Sequence, residues 1–210
     1  MKTHNLIPMM MIAAVLGMTA SRPAHAWSHP DINLAFGTTI GAADNNPSVT
    51  GPPVSGGASV VFSPMWPIAN HASFGVSLFA DDLGSHVARL YDPNDHTDLG
   101  LASFAHRSAW GAAWRGDVDV ARHGRWAALA SGTWGWSRMT DDLRGRTYAA
   151  ASAVSVGLAG EIRGPVAPAQ TLGLVWRWQR LFAQRNAAYD RRTTYATVAL
   201  EWGWTGAPRP

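Results

Sequence analysis

The chain has no cysteine, which excludes a disulfide scaffold, thiol catalysis, a zinc ribbon and an iron–sulfur centre. Charge is also scarce: 15% of the 210 residues are Asp, Glu, Lys or Arg, against about a quarter in a soluble globular domain. Lysine is nearly missing, its one copy being Lys2. The arginines are scattered among acids and form no basic stripe, so no nucleic-acid partner is expected. No apolar run reaches the roughly 20 residues of a membrane-spanning helix. The longest, residues 6–17, has 12. A sustained 3.6-residue period is absent as well.

That longest run reads as the core of a secretory signal peptide. Lys2 and His4 precede it, and Ala24-His25-Ala26 supplies a small-x-small cleavage site. Residues 1–26 are therefore set apart, and the mature chain begins at Trp27. Losing Lys2 and Arg22 lowers the net charge from +3 to +1.

What the mature chain has in abundance is tryptophan, 11 copies against 6 Phe and 4 Tyr, and period-two alternation between turn-forming clusters. Over 31–41, Ile32, Leu34, Phe36, Thr38 and Ile40 share one face while Asn33, Ala35, Gly37, Thr39 and Gly41 share the other. The same alternation predicts strands near 58–66, 72–81, 105–118, 126–139, 151–163, 171–182 and 195–204. Connections alternate long (42–57, 82–101, 140–146, 183–192) and short (67–71, 121–125, 164–170). Near the C-terminus, Leu172, Leu174, Trp176 and Trp178 oppose Gly173, Val175, Arg177 and Gln179, while Leu200, Trp202 and Trp204 oppose Glu201 and Gly203. Charge thus sits on the small-residue face. A soluble sandwich, whose large apolar faces pack inward and whose charged faces are wet, has the opposite arrangement.

Eight amphipathic strands with alternating long and short connections resemble the small eight-stranded outer-membrane β-barrels. The resemblance covers residues 27–204, leaves 205–210 as a short tail, and lies in topology and pattern rather than a fingerprint motif. It implies an all-β, eight-stranded antiparallel up-and-down transmembrane barrel after a cleaved signal peptide, in the cell outer membrane. Short turns would then face the periplasm and long loops the outside. Its expected partners are outer-membrane lipid and lipopolysaccharide, with an extracellular ligand held by the loops; no cofactor is expected. A lipocalin-like soluble carrier is the alternative fold reading, and it would need apolar groups on the inner face.

Several residues become candidates on this reading. Trp66, Trp110, Trp114, Trp126, Trp176, Trp178, Trp202 and Trp204 are expected as aromatic girdles at the two headgroup levels. Arg115, Glu161, Arg177 and Glu201 share the inward parity and are expected to pair in one charge network, because an eight-stranded lumen is just wide enough for its own side chains. Asp81-Asp82 and Asp141-Asp142 read as the starts of long loops, with a second reading as holders of divalent cations that bridge lipopolysaccharide phosphates. Asp92, Asn94, Asp95 and Asp98 resemble a calcium loop loosely, without the alternating ligand spacing of an EF-hand. His106 and Ser108 lie two apart on one strand, where imidazole could activate a hydroxyl for ester cleavage. A lipid-facing His-x-Ser oriented by an acid is similar to that of the lipid A deacylases, themselves eight-stranded barrels. Asp98 and Asp117 are the acids nearest His106 along the chain. The role expected first is structural or surface-interacting, with lipid A deacylation as the enzymatic alternative.

Overall fold

The structure, a computed structural model, describes residues 29–44, 57–91, 98–143, 146–183 and 192–205. The expected signal peptide and all but the first residue of the C-terminal tail lie outside these. Eight strands run in chain order: β1 (Asp31–Asp44), β2 (Ala58–Ala69), β3 (Ala72–Tyr91), β4 (Asp98–His123), β5 (Trp126–Leu143), β6 (Arg146–Ala167), β7 (Gln170–Ala183) and β8 (Arg192–Trp204). Each pairs antiparallel with its neighbour, and β8 returns to β1, with Ile32 opposite Trp204, so the sheet closes into a barrel. Closure leaves no strand edge unpaired, which is the condition for a sheet in hydrocarbon.

Side-chain parity fixes what faces where. Phe36, Leu78, Trp114, Leu158, Trp176 and Leu200 each expose half or more of their surface, while Ser63, Ser77, Ser137, Ser155, Thr193 and Thr197 are buried. The large apolar side chains therefore point out and the small hydroxyls point in. An exterior this apolar belongs in lipid, which is the opposite of what a soluble lipocalin-like carrier presents to water.

The strands outrun their sequence limits mainly at the long-loop end. β3 continues to Tyr91 and β4 begins at Asp98, so most of the expected loop 82–101 is paired strand. β5 and β6 likewise continue to Leu143 and from Arg146, consuming the expected loop 140–146. Polar side chains mark where the apolar belt stops, yet an antiparallel ladder goes on satisfying its backbone groups in water. At the other end, Pro67 remains within β2 and Pro165 within β6. The turns there are tight: Gly124 takes a left-handed φ of 58° between β4 and β5, and Ala169 takes 58° between β6 and β7.

Leu200, at mid-strand in β8 opposite Phe36 and Leu174, is the natural probe of the outward face. Leu200→Arg is expected to destabilise the barrel by about 2–4 kcal/mol in urea unfolding from lipid vesicles. Ala159→Arg, on the inner face, should instead impair folding through crowding of the lumen. Parent-like stability of Leu200→Arg would mean that the register is wrong.

Candidate functional site

The inward face of eight tilted strands encloses a lumen in which any charge must find a partner. Toward the short-turn end five of these charges form one cluster. Arg115 of β4 donates from Nε to Asp117 Oδ1 at 2.8 Å and from Nη1 to Glu201 Oε2 at 2.9 Å, and its Nη2 stands 3.6 Å from Glu161 Oε2. Arg163 of β6 grips the same carboxylates, with Nε at 2.7 Å from Glu161 Oε1 and Nη2 at 3.5 Å from Glu201 Oε1. The two guanidiniums and two glutamates thus form a closed ring, with Asp117 attached to Arg115. Gly173 makes room for it, since a Cβ there would lie 2.2 Å from Glu161 Oε1.

A second cluster lies nearer the long-loop end. Asp81 of β3 accepts from Arg177 Nη2 at 2.7 Å and from Ser59 Oγ at 2.6 Å, and the Tyr195 hydroxyl donates to its Oδ2 at 2.7 Å. The Arg177 guanidinium also lies 5.8 Å from the centroid of the Phe79 ring. Between the clusters is a cavity of about 30 Å³, bordered by Val61, Ser77, Ala113, Thr133 and Ala199, room for roughly two waters.

Four residues predicted from the sequence as one network are therefore divided. Arg115, Glu161 and Glu201 meet directly, whereas Arg177 pairs with Asp81. The sequence reading left Asp81, Asp117 and Arg163 out of the interior network, although Asp117 shares the parity of Arg115, Arg163 that of Glu161, and Asp81 that of Ser77 and Phe79. For Asp81 this is a correction: it neither opens a loop nor faces a cation outside, because parity turns its carboxylate into the lumen, where it is 2% exposed.

On the outer face, near the long-loop end, the ladder assembles a second polar group. Asp82 on β3 stands opposite Ser108 on β4, which stands opposite Thr140 on β5. His106 Nε2 is 3.3 Å from Asp82 Oδ1, an oxygen that also accepts from the Gly84 backbone N–H at 2.8 Å. Ser108 Oγ is hydrogen-bonded to Thr140 Oγ1 at 2.7 Å. The acid beside His106 is thus Asp82, far away in sequence. Asp117 belongs to the interior cluster, and the side chain of Asp98 lies outside the described residues. Chemically, this is an imidazole held by a carboxylate, with a hydroxyl two positions along the same strand face.

The remaining candidates sort by depth. Asp92, Asn94 and Asp95 lie outside the described residues, and Asp142 lies within β5 rather than in a loop. No group of three His, Asp or Glu suited to a metal occurs among the described residues. Trp66, Trp126, Trp202 and Trp204 lie at or near the short-turn ends of their strands, while Trp110 forms an edge-to-face pair with Trp136 at 5.6 Å toward the long-loop end. Trp114 and Trp176 instead occupy mid-strand positions, with Trp114 stacked on Phe74 at 5.5 Å. Trp178 lies two residues further along β7, below Arg180.

No protein-family model and no curated protein matches the chain. Among solved structures it is similar to Neisserial surface protein A, with a TM-score of 0.56 at 11% identity over 84% of this chain and 97% of that one. Ail, the attachment invasion locus protein of Yersinia pestis, in complex with the heparin analogue sucrose octasulfate, gives 0.41 at 8% identity over 84% and 99%. The outer membrane protease OmpT from Escherichia coli gives 0.40 at 9% over 89% and 99%. Closed topology, strand number and apolar exterior are those of a small outer-membrane β-barrel.

The interior clusters make their own prediction. Arg115→Met leaves Asp117 and Glu201 without their principal cation and is expected to cost about 3–5 kcal/mol. Arg177→Met should act comparably by isolating Asp81. Both are measured by urea unfolding in vesicles, and a loss below about 1 kcal/mol in each would show that the clusters are not tightly paired.

Proposed function

We propose that the protein is an outer-membrane β-barrel with a lumen closed by its own side chains, serving a structural or surface-interaction role from its long-loop end. The observation that carries this reading is the interior itself. The guanidiniums of Arg115, Arg163 and Arg177 are gripped by carboxylates, and the space left between the two clusters is about 30 Å³, too little for a solute path. A rigid closed scaffold leaves the loops as the place for contact with an extracellular ligand. Surrounding outer-membrane lipid and lipopolysaccharide are the partners of the outer face.

Fractionation and reconstitution test the proposal together. The mature chain should be found in the outer-membrane fraction, run as a heat-modifiable band, and give no stable conductance steps in planar bilayers. A soluble periplasmic protein without heat-modifiability would overturn the membrane assignment, and steady open-channel current would overturn the closed lumen.

The Asp82–His106 contact supports a second reading, an esterase acting on lipid A: His106, oriented by Asp82, takes the proton of Ser108 as its oxygen attacks the ester carbonyl and returns it to the departing sugar oxygen, and water then releases the fatty acid from Ser108. The hydrogen bond of Ser108 to Thr140 favours the structural reading instead. Purified parent in detergent is accordingly expected to release no fatty acid from lipid A. Release that disappears in Ser108→Ala and in His106→Ala, with the barrel still heat-modifiable, would make the protein a deacylase.

A further inference from the structure

Through most of the described barrel wall the outward positions are apolar or small, and charge returns to that face only near its two ends. At the long-loop end two of the returning charges are Arg138 on β5 and Arg180 on β7. Each follows an outward tryptophan by two residues, in Trp136-Ser137-Arg138 and Trp178-Gln179-Arg180, so indole and guanidinium share a face and the guanidinium stands one step nearer the loops. An indole suits the boundary between hydrocarbon and headgroup. A guanidinium one step above it therefore reaches the level of lipid phosphates. Among the described residues no carboxylate pairs with either arginine. The Arg180 guanidinium lies 5.2 Å from the centroid of the Phe182 ring, and its Nε is buried without a hydrogen-bond acceptor. Asp82, on the same face, is engaged by His106.

Arg138 stands opposite Ser152, and Arg180 opposite Val156, on the intervening strand β6. The two cations are thus offset by four steps of one strand, about 13 Å along it, with Val154 midway. A guanidinium binds phosphate through two parallel N–H donors. Two such groups set well apart on a lipid-facing wall suit a ligand that carries two separated phosphates on one headgroup and acyl chains that run down the apolar strands below.

We infer that Arg138 and Arg180 form a two-point binding site on the outer wall for a bisphosphorylated glycolipid of the outer leaflet. This deepens the outer-membrane reading and rests on it. Phosphates displace the water that the arginines would otherwise retain at the rim, and the acyl chains cover Val154, Val156 and Leu158. A single-phosphate phospholipid satisfies one arginine and leaves the other unpaired.

The test uses the mature barrel refolded in zwitterionic detergent, with bound lipid counted by native mass spectrometry. Diphosphoryl lipid A should bind saturably to the parent. Affinity should fall about tenfold or more in the Arg138→Gln/Arg180→Gln double variant, by a smaller factor in each single variant, and least in the double Arg→Lys variant, which keeps both charges. Dephosphorylated lipid A and phosphatidylglycerol should bind the parent about as weakly as diphosphoryl lipid A binds the Gln double variant. Heat-modifiability of every variant reports that the barrel has formed. Equal binding of diphosphoryl lipid A by the parent and the Gln double variant would overturn the site. Equal binding of phosphatidylglycerol and diphosphoryl lipid A by the parent would overturn its assignment to a bisphosphorylated ligand. If the parent itself forms no heat-modifiable barrel in detergent, it is the outer-membrane reading that fails.

Discussion

Closing eight strands on themselves fixes a lumen no wider than the side chains it contains, and most other features of this protein follow from that width. Bulky residues cannot all turn inward, so most of the Phe, Leu and Trp side chains go out to lipid, while a few such as Phe79 and Leu181 fill the lumen. Ser, Thr, Ala and Gly line the inside, leaving room for a few long polar side chains. Those long residues carry charge, and charge in a narrow, poorly hydrated space is tolerated only when paired. Two compact ion clusters are the solution, set among small apolar clusters such as Leu83, Met139 and Leu181. Gly173 illustrates how tight the fit is, because the space a methyl group would take is filled by the Glu161 carboxylate.

The sequence was most legible where the alternation is uninterrupted. In β7 and β8, Trp176, Trp178, Leu200 and Trp202 alternate with Arg177, Gln179, Glu201 and Gly203, and the structure puts the first set out and the second in. It was least legible above the apolar belt. There β3, β4, β5 and β6 remain paired although the period-two alternation breaks down and the β3–β4 register shifts, because strand pairing is decided by backbone hydrogen bonds and the hydropathy pattern reports only lipid contact. Asp81 shows the same limit from within: a pair of aspartates after an apolar run resembles a loop start, yet the parity established by Phe79 and Ser77 carries one more step and places Asp81 inside.

Long-range pairing was the harder part. Arg163 could have been placed in the lumen by its parity with Glu161, but its reach to Glu201 depends on strands that meet only when the sheet curves round. Asp82 and His106 come together through the β3–β4 register, which shifts at Asp82/Gly84, and no spacing rule along one strand anticipates a bulge on its neighbour. Arg138 and Arg180 each follow a tryptophan by two residues, a spacing the sequence reading did not use. They acquire meaning only once β5, β6 and β7 are known to lie side by side.

The seam of the barrel joins the beginning of the chain to its end, Ile32 to Trp204, and the ion ring crosses the lumen from β4 to β8 through Arg115 and Glu201. Neither contact can exist while the C-terminal strand is still absent. Sealing the sheet and pairing Glu201 with Arg115 therefore depend on the same strand, so a change that loosens the β8–β1 seam also strips Arg115 of one of its carboxylates.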